Sequence, residues 1–387
     1  MSIIRHKRSN IEGSVPAPSQ LEGGEIAVNT HDGKMYFTRD KDGSISIREV
    51  GLADVTDNVL YVSATGSDED NNGTTIAEAY ASLNQALSVA TTGTTVFLKS
   101  GDHVLDNDAG GVTIPEFVSI VGDNLRTTNI RPSTVTNDLF YVNKGSYVTG
   151  VTFRDYESPA AAISFNPDGS AGNITTSPYI QNCSSITTTG TGMRVDGNYV
   201  TGLRSMVCDA YTQINSNGIG IHLLNKGYAQ LVSIFTVACA DGILAETGGM
   251  CSLTNSNCSF GINGLRSTGT SSTLYSGTTV GTAIATTSDI VLTNLTERPK
   301  YGDAIKFNGI DEYFTVESCT ELVGSDATVT LLESLDFDII GGINTDFSQR
   351  SLISASSITF EYIGTGTDLY NTPRSGAFPI QENEIVQ

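Results

Sequence analysis

Short apolar runs alternate with polar positions along most of the 387 residues, and Gly, Asn, Asp or Ser closes each run. The alternation has the period of strands. Near the N-terminus one such run ends at Thr30 and another spans 34–38, with Asp32-Gly33, the dipeptide of a tight hairpin, between them. A second turn, Asp42-Gly43, precedes Ile45 and Ile47. This pattern predicts a small β-hairpin attachment module over 1–51, too small to stand on a core of its own. Ile76, Tyr80, Leu83 and Leu87 share a helical spacing and predict one amphipathic helix over 76–90. A strand at 94–98 follows, so the helix is expected to cover the open end of a stack of strands.

The middle of the chain repeats. Gly192, Gly220 and Gly242 are separated by 28 and 22 residues, as are Leu203, Leu231 and Leu253, and Ser205, Ser233 and Asn255. Three markers on one pair of spacings predict successive coils, with a six-residue loop excess in one of them. A coil of about 20 residues cannot bury its apolar side alone, so the coils should stack at about 4.8 Å over interior ladders of aliphatic, Asn, Ser and Cys residues. The stacked domain is expected over 52–298. Alternating runs at 313–316 and 327–332 then predict a small antiparallel β-domain with a C-terminal extension over 299–387.

Composition narrows the picture. Hydrophobic residues make up 39% and charged residues 16% of the chain, both below the usual share, and turn-forming residues fill the difference. There is no apolar run of the length that spans a membrane, and no apolar region follows the charged N-terminus, so neither membrane insertion nor a signal peptide is expected. The net charge is −21, distributed as 0 over 1–50, −9 over 51–157, −1 over 158–300 and −11 over 301–387. Such a chain repels phosphate backbones, which argues against nucleic acid as a partner. Arg5, His6, Lys7 and Arg8 read as a solvated tail. The six cysteines form no CxxC pair and are expected as reduced, buried thiols; the four histidines are scattered singly, so no zinc site is expected.

The run Asp68-x-Asp70-x-Asn72-Gly73 matches the first half of a calcium loop, but Ala79 stands where the bidentate Glu belongs. A plain turn is expected there, with calcium at Asp68, Asp70 and Asn72 as the alternative; no other cofactor is expected. Nucleotide-binding glycine motifs and a serine-nucleophile elbow are absent.

Three stretches resemble known proteins. GEIAVNTHDGKMY at 24–36 resembles the short N-terminal module of phage tail-fibre and virion structural proteins. The order of the helix and the runs VFLKSGDHVL and IPEFVSIVGDN resembles the start of right-handed parallel β-helix domains of the pectate-lyase-like type. The runs between 177 and 261 resemble β-helix virion proteins of marine tailed phages, notably cyanophages. A string at 351–364 also resembles phage-fibre sequence, and the end of the chain at 379–387 is expected to pair with another chain. The resemblance implies an all-β protein, a right-handed parallel β-helix flanked by small β-rich modules. It implies a tail-fibre or baseplate-peripheral virion component, assembled in the host cytoplasm. Such a component would act as a rigid, homotrimeric spacer or host-contact element joined to other tail proteins through 1–51 or 299–387. It brings no catalytic residues with it.

Polysaccharide depolymerases and receptor-binding adhesins share this scaffold, so carboxylates in the coil region matter. A glycosidase needs two of them about 5–9.5 Å apart. Asp196, Asp209, Asp241 and Glu246 are the candidates, and Asp209, Asp241 and Glu246 are the set to carry a depolymerase activity acting on a host surface glycan. Each also neighbours turn residues, so solvated turns are the expected reading and no enzyme activity is expected. A lyase would use Arg194 with Asp196 or Arg204 with Asp209, which read equally as surface pairs.

Overall fold

The computed structural model describes residues 7–22, 25–41, 43–50 and 58–360, and the chain divides into two units, Met1–Val59 and Leu60–Gln387. Among the described residues the fold is all-β apart from one α-helix and a single 3-10 turn.

In the first unit, strands Lys7–Ser9, Ile26–Asn29, Lys34–Lys41 and Ser44–Val50 form one sheet in chain order. The hairpin closes with Asn29 opposite Lys34, and Gly33 and Gly43 take the left-handed conformations their turns require. Asp32 also works outside its turn. Its Oδ2 accepts from the Gly13 N–H at 2.9 Å and from Asn29 Nδ2 at 2.8 Å, tying the 11–14 loop to the hairpin. Leu21, Ala27 and Tyr36 make a small core. In place of an irregular tail, Lys7–Ser9 is a strand, with Lys7 and Arg8 exposed to solvent as expected. Lys7 pairs in parallel with Ala27 and its Nζ reaches Glu25 and the Gln20 carbonyl, both at 2.5 Å. Arg5 and His6 lie outside the described residues.

In the second unit the chain alternates between two large sheets of 13 and seven strands, each strand lying parallel to the one from the coil before. Val96, Ile120, Val148, Ile180, Cys208, Leu231 and Leu253 stand in one cross-strand column, all fully or almost fully buried. At about 4.8 Å per step the column runs about 29 Å, and burying each aliphatic member contributes about 1.5–3 kcal/mol. Met193, Ile221, Ile243 and Leu265 form the matching column of the seven-stranded sheet. The cysteines are interior hydrophobes: burial pushes the Cys183 and Cys239 thiols up to about 12.

The glycine markers land in register, and the packing explains them. A Cβ at Gly192 would stand 2.1 Å from Gln213 Oε1, and at Gly242 2.5 Å from Thr236 Oγ1, so the glycines make room for two buried polar side chains of the facing sheet. The other two markers start out of register. Leu203 is 56% exposed in a turn and Ser205 pairs with Tyr228; the residue that stacks on Leu231 is Cys208. Most of the loop excess lies in the turn that holds Leu203, which displaces everything counted from it.

A second column is conformational. Gly150, Asn182, Ala210, Ser233, Asn255 and Ser357 all have φ between +48° and +73°, and each follows a residue paired across the sheet. The chain bends at the same place in coil after coil, and five non-glycine residues hold a conformation that costs about 1–2 kcal/mol elsewhere.

The helix is Leu83–Val89, half the expected length. Tyr80 is drawn into strand pairing, donating its N–H to the Tyr61 carbonyl and accepting from the Ser63 N–H. Ser82 then caps the helix, its Oγ accepting from the Gln85 N–H at 3.1 Å. Leu83, Ala86 and Leu87 are buried in the core, while Ile76 is exposed.

The expected boundary at 298/299 is also corrected. Strands Tyr275–Thr279, Asp289–Thr293, Asp303–Phe307, Tyr313–Cys319, Ala327–Leu331 and Asn344–Gln349 close an antiparallel barrel, so two of its strands precede that boundary. Afterwards the chain returns to the stack, where Leu352–Thr359 pairs in parallel with Met250–Ser259. Alternation marks a half-buried strand without naming its partner, so barrel and stack strands read alike. The extension at 361–387, including the run expected to pair with another chain, lies outside the described residues.

Candidate functional site

The polar chemistry of the second unit gathers on the seven-stranded sheet. Arg194, His222, Leu244 and Arg266 stand opposite one another on successive strands, each one position beyond a core residue. Strand alternation turns this column away from the interior. Arg194 donates to Ser164 Oγ at 3.3 Å, to the Pro159 carbonyl at 3.1 Å and to the Asp138 carboxylate. Asp138 also accepts from the Ala161 N–H at 2.7 Å; burial pushes its pKa up and Arg194 draws it back. His222 Nε2 lies 2.9 Å from Glu246 Oε1. Burial holds this imidazole below its ordinary range against the pull of Glu246, which favours the uncharged ring at neutral pH. Arg266 clamps Asp241 with two bonds of 2.8 and 2.6 Å, and Asn263 Nδ2 adds a third at 2.8 Å.

The candidate carboxylates do not converge. Asp241 and Glu246 sit at opposite ends of the strand Asp241–Glu246, about 16 Å apart at strand rise, too far for either glycosidase geometry. Asp209 belongs to the other sheet, where its Oδ2 accepts from Gln181 Nε2 at 3.3 Å. Arg194 pairs with Asp138 instead of Asp196, whose Oδ1 accepts from the Asn198 N–H and Asn225 Nδ2. Among the described residues no ion pair joins Arg204 to Asp209. His222 escaped the sequence reading as one of four scattered histidines. The signal was its phase: it follows Ile221 as Arg194 follows Met193 and Arg266 follows Leu265.

The Asp68, Asp70 and Asn72 side chains build their own loop. Asp68 Oδ1 accepts from the Ala81 and Ser82 N–H groups, Asp70 Oδ2 from Ser67 Oγ, and Asn72 Oδ1 from Thr74. No cluster of three or more metal-binding side chains occurs among the described residues, and none of their helices is long and apolar enough to cross a membrane.

No family model and no curated protein matches the chain. Among solved structures it is similar to a rhamnogalacturonan lyase, at 12% identity and a TM-score of 0.31, over 54% of this chain and 58% of that one. The chain therefore spans little more than half the length of that lyase. It is also similar to ORF18 of Geobacillus virus E2, at 12% identity and a TM-score of 0.19, over 83% of this chain and 88% of that one.

Proposed function

We propose that the stacked unit is a right-handed parallel β-helix and that the protein is a phage virion structural component. In this reading it is a tail-fibre or baseplate-peripheral spacer that contacts the host, works as a homotrimer, and joins other tail proteins through its first unit or its barrel. The supporting observation is the seven-residue buried column from Val96 to Leu253. Continuous side-chain ladders stiffen a rod, and the candidate carboxylates are spread along it, engaged with protein partners instead of facing one another. Light scattering on the eluting native protein tests the reading: three 40.9 kDa chains per particle are expected, and a stable monomer would sink it.

One observation favours a second reading, a lyase-type depolymerase. An uncharged His222 beside Glu246, next to Arg194 on an outward column, is the kind of base that removes a proton from a uronate sugar. Release of unsaturated uronides from host envelope glycans, abolished by His222→Ala, would establish it. Retained cell binding without product would leave the protein an adhesin.

A further inference from the structure

Where the barrel meets the last strands of the stack lies a cleft of about 510 Å³, within the size range of small-ligand sites. Met250 and Leu352 line it from the stack, and Lys300, Tyr301, Leu332 and Arg350 from the barrel and its connections.

Charge makes this cleft unusual. Residues 301–387 carry a net charge of −11, so carboxylates are plentiful. Of the four cations between residues 270 and 350, Arg298 pairs with Glu321 and Lys306 with Asp311. Lys300 and Arg350 have no carboxylate at ion-pair distance among the described residues, and both line the cleft. Asp303, which also lines the cleft, and Glu333, bonded to the lining residue Thr315, are held by other donors. Asp303 Oδ2 accepts from the Tyr275 hydroxyl and the Lys300 N–H, and Glu333 accepts from the Thr315 N–H and hydroxyl. Arg350 gives one Nη to the Tyr313 carbonyl at 3.0 Å, while its Nε is buried with no acceptor. A partly buried guanidinium with an unused donor gains more from an incoming anion than a fully exposed one does.

Thr315 and Gln349 add polar atoms to the lining, and its open part is apolar. Tyr301 is 64% exposed and Leu332 48%, an aromatic ring and an aliphatic side chain left in water at a cleft mouth. A flat ring beside two unpaired cations suits a ligand with both an apolar face and a negative charge.

We infer that this cleft binds an acidic saccharide, with a hexuronate carboxylate held by Arg350 and Lys300 and its pyranose ring lying against Tyr301. The inference deepens the host-contact reading above and rests on it for its biological setting. The two fail separately: that reading falls if the intact chain does not adsorb to host cells, whereas saccharide binding is measured on the chain alone.

The test is calorimetric titration of the full chain with oligogalacturonate, oligoguluronate and oligomannuronate, with neutral maltotetraose and tetraglutamate as controls. At least one uronate should bind saturably, weaken with added salt, and lose at least about tenfold in affinity in Lys300→Gln and in Tyr301→Ala. Both variants sit on exposed positions and should melt as the parent does. The inference is overturned if no uronate saturates, if maltotetraose binds as tightly, or if neither variant changes the affinity. Equal or tighter binding of tetraglutamate would assign the cleft to an acidic peptide instead.

Discussion

The stack and the barrel are both made of short alternating strands, yet they obtain their cores differently. The stack repeats one register, so each strand buries its side chains against the coil before and the coil after. The barrel closes on itself and fills with rings: Tyr275 stacks on Phe347 at 4.8 Å, and Phe314 packs edge-on against Phe307 and Phe337. A repeated register confines damage to neighbouring coils, whereas closure makes every strand depend on all the others. The polar surfaces differ too. On the stack's seven-stranded sheet Arg194 and Arg266 each hold a carboxylate, while Lys300 and Arg350 line a cleft and form no ion pair among the described residues, its one lining carboxylate, Asp303, being held by the Tyr275 hydroxyl and a backbone N–H.

The sharpest way to break this comparison is a pair of truncations. Phe347→Ala should cost about 3–5 kcal/mol and expose amides throughout the barrel to hydrogen exchange. Leu231→Ala should cost about 2–5 kcal/mol, with faster exchange confined to the strands carrying Cys208 and Leu253 and none at Val96. Exchange spreading along the whole stack would show that the coils are not independent.

Next in size is the buried pair of the outward column. Arg194→Gln leaves the Asp138 carboxylate without its counter-charge, and a loss of about 3 kcal/mol is expected in urea unfolding. A smaller loss would place that carboxylate in water.

A smaller effect is set by pH. Burial lowers the pKa of His222 in the folded chain, and that of His103 likewise. Below about pH 6.5 the unfolded chain takes up protons first, so stability that is full above that value is lost as the pH falls. His222→Gln should make that loss shallower between about pH 6.5 and 5. Asp138 has the opposite sign: burial raises its pKa, so its contribution falls as the pH rises above about 4. An unchanged slope in the His222 variant would move the acid limb to other groups.

The smallest effect tests the bend column. Ala210→Gly should raise stability by up to about 1 kcal/mol, because glycine holds φ near +52° without strain. A loss there would mean that the methyl group packs.

Legibility from sequence followed the same division. The glycine markers exposed the coil period because Gly192, Gly220 and Gly242 answer one packing demand on three successive strands, whereas Ala162 holds the same position one coil earlier. Leu203 and Ser205 misled because they sit on the long turn, where residue counting loses the register. The barrel boundary was hidden because 275–279 and 289–293 alternate as stack strands do. Asp241 and Glu246 looked like a pair because they are close in sequence, but an extended strand holds them apart. His222 and Arg350 were missed because a lone histidine and a lone arginine acquire meaning only from what stands across the sheet or beside the cleft.

The barrel is an insertion between two consecutive strands of the stack, one in each of its large sheets, and its ends meet. Thr270 and Arg350 form an antiparallel bridge, and the Ser271 N–H donates to the Gln349 carbonyl at 2.8 Å. Such an arrangement makes residues 271–349 an exchangeable cassette. Recombination can replace them with any domain whose termini lie equally close, leaving the coils below and the returning strand above in register. A chain carrying a short turn in their place should keep the hydrogen-exchange protection of the strands up to Thr268.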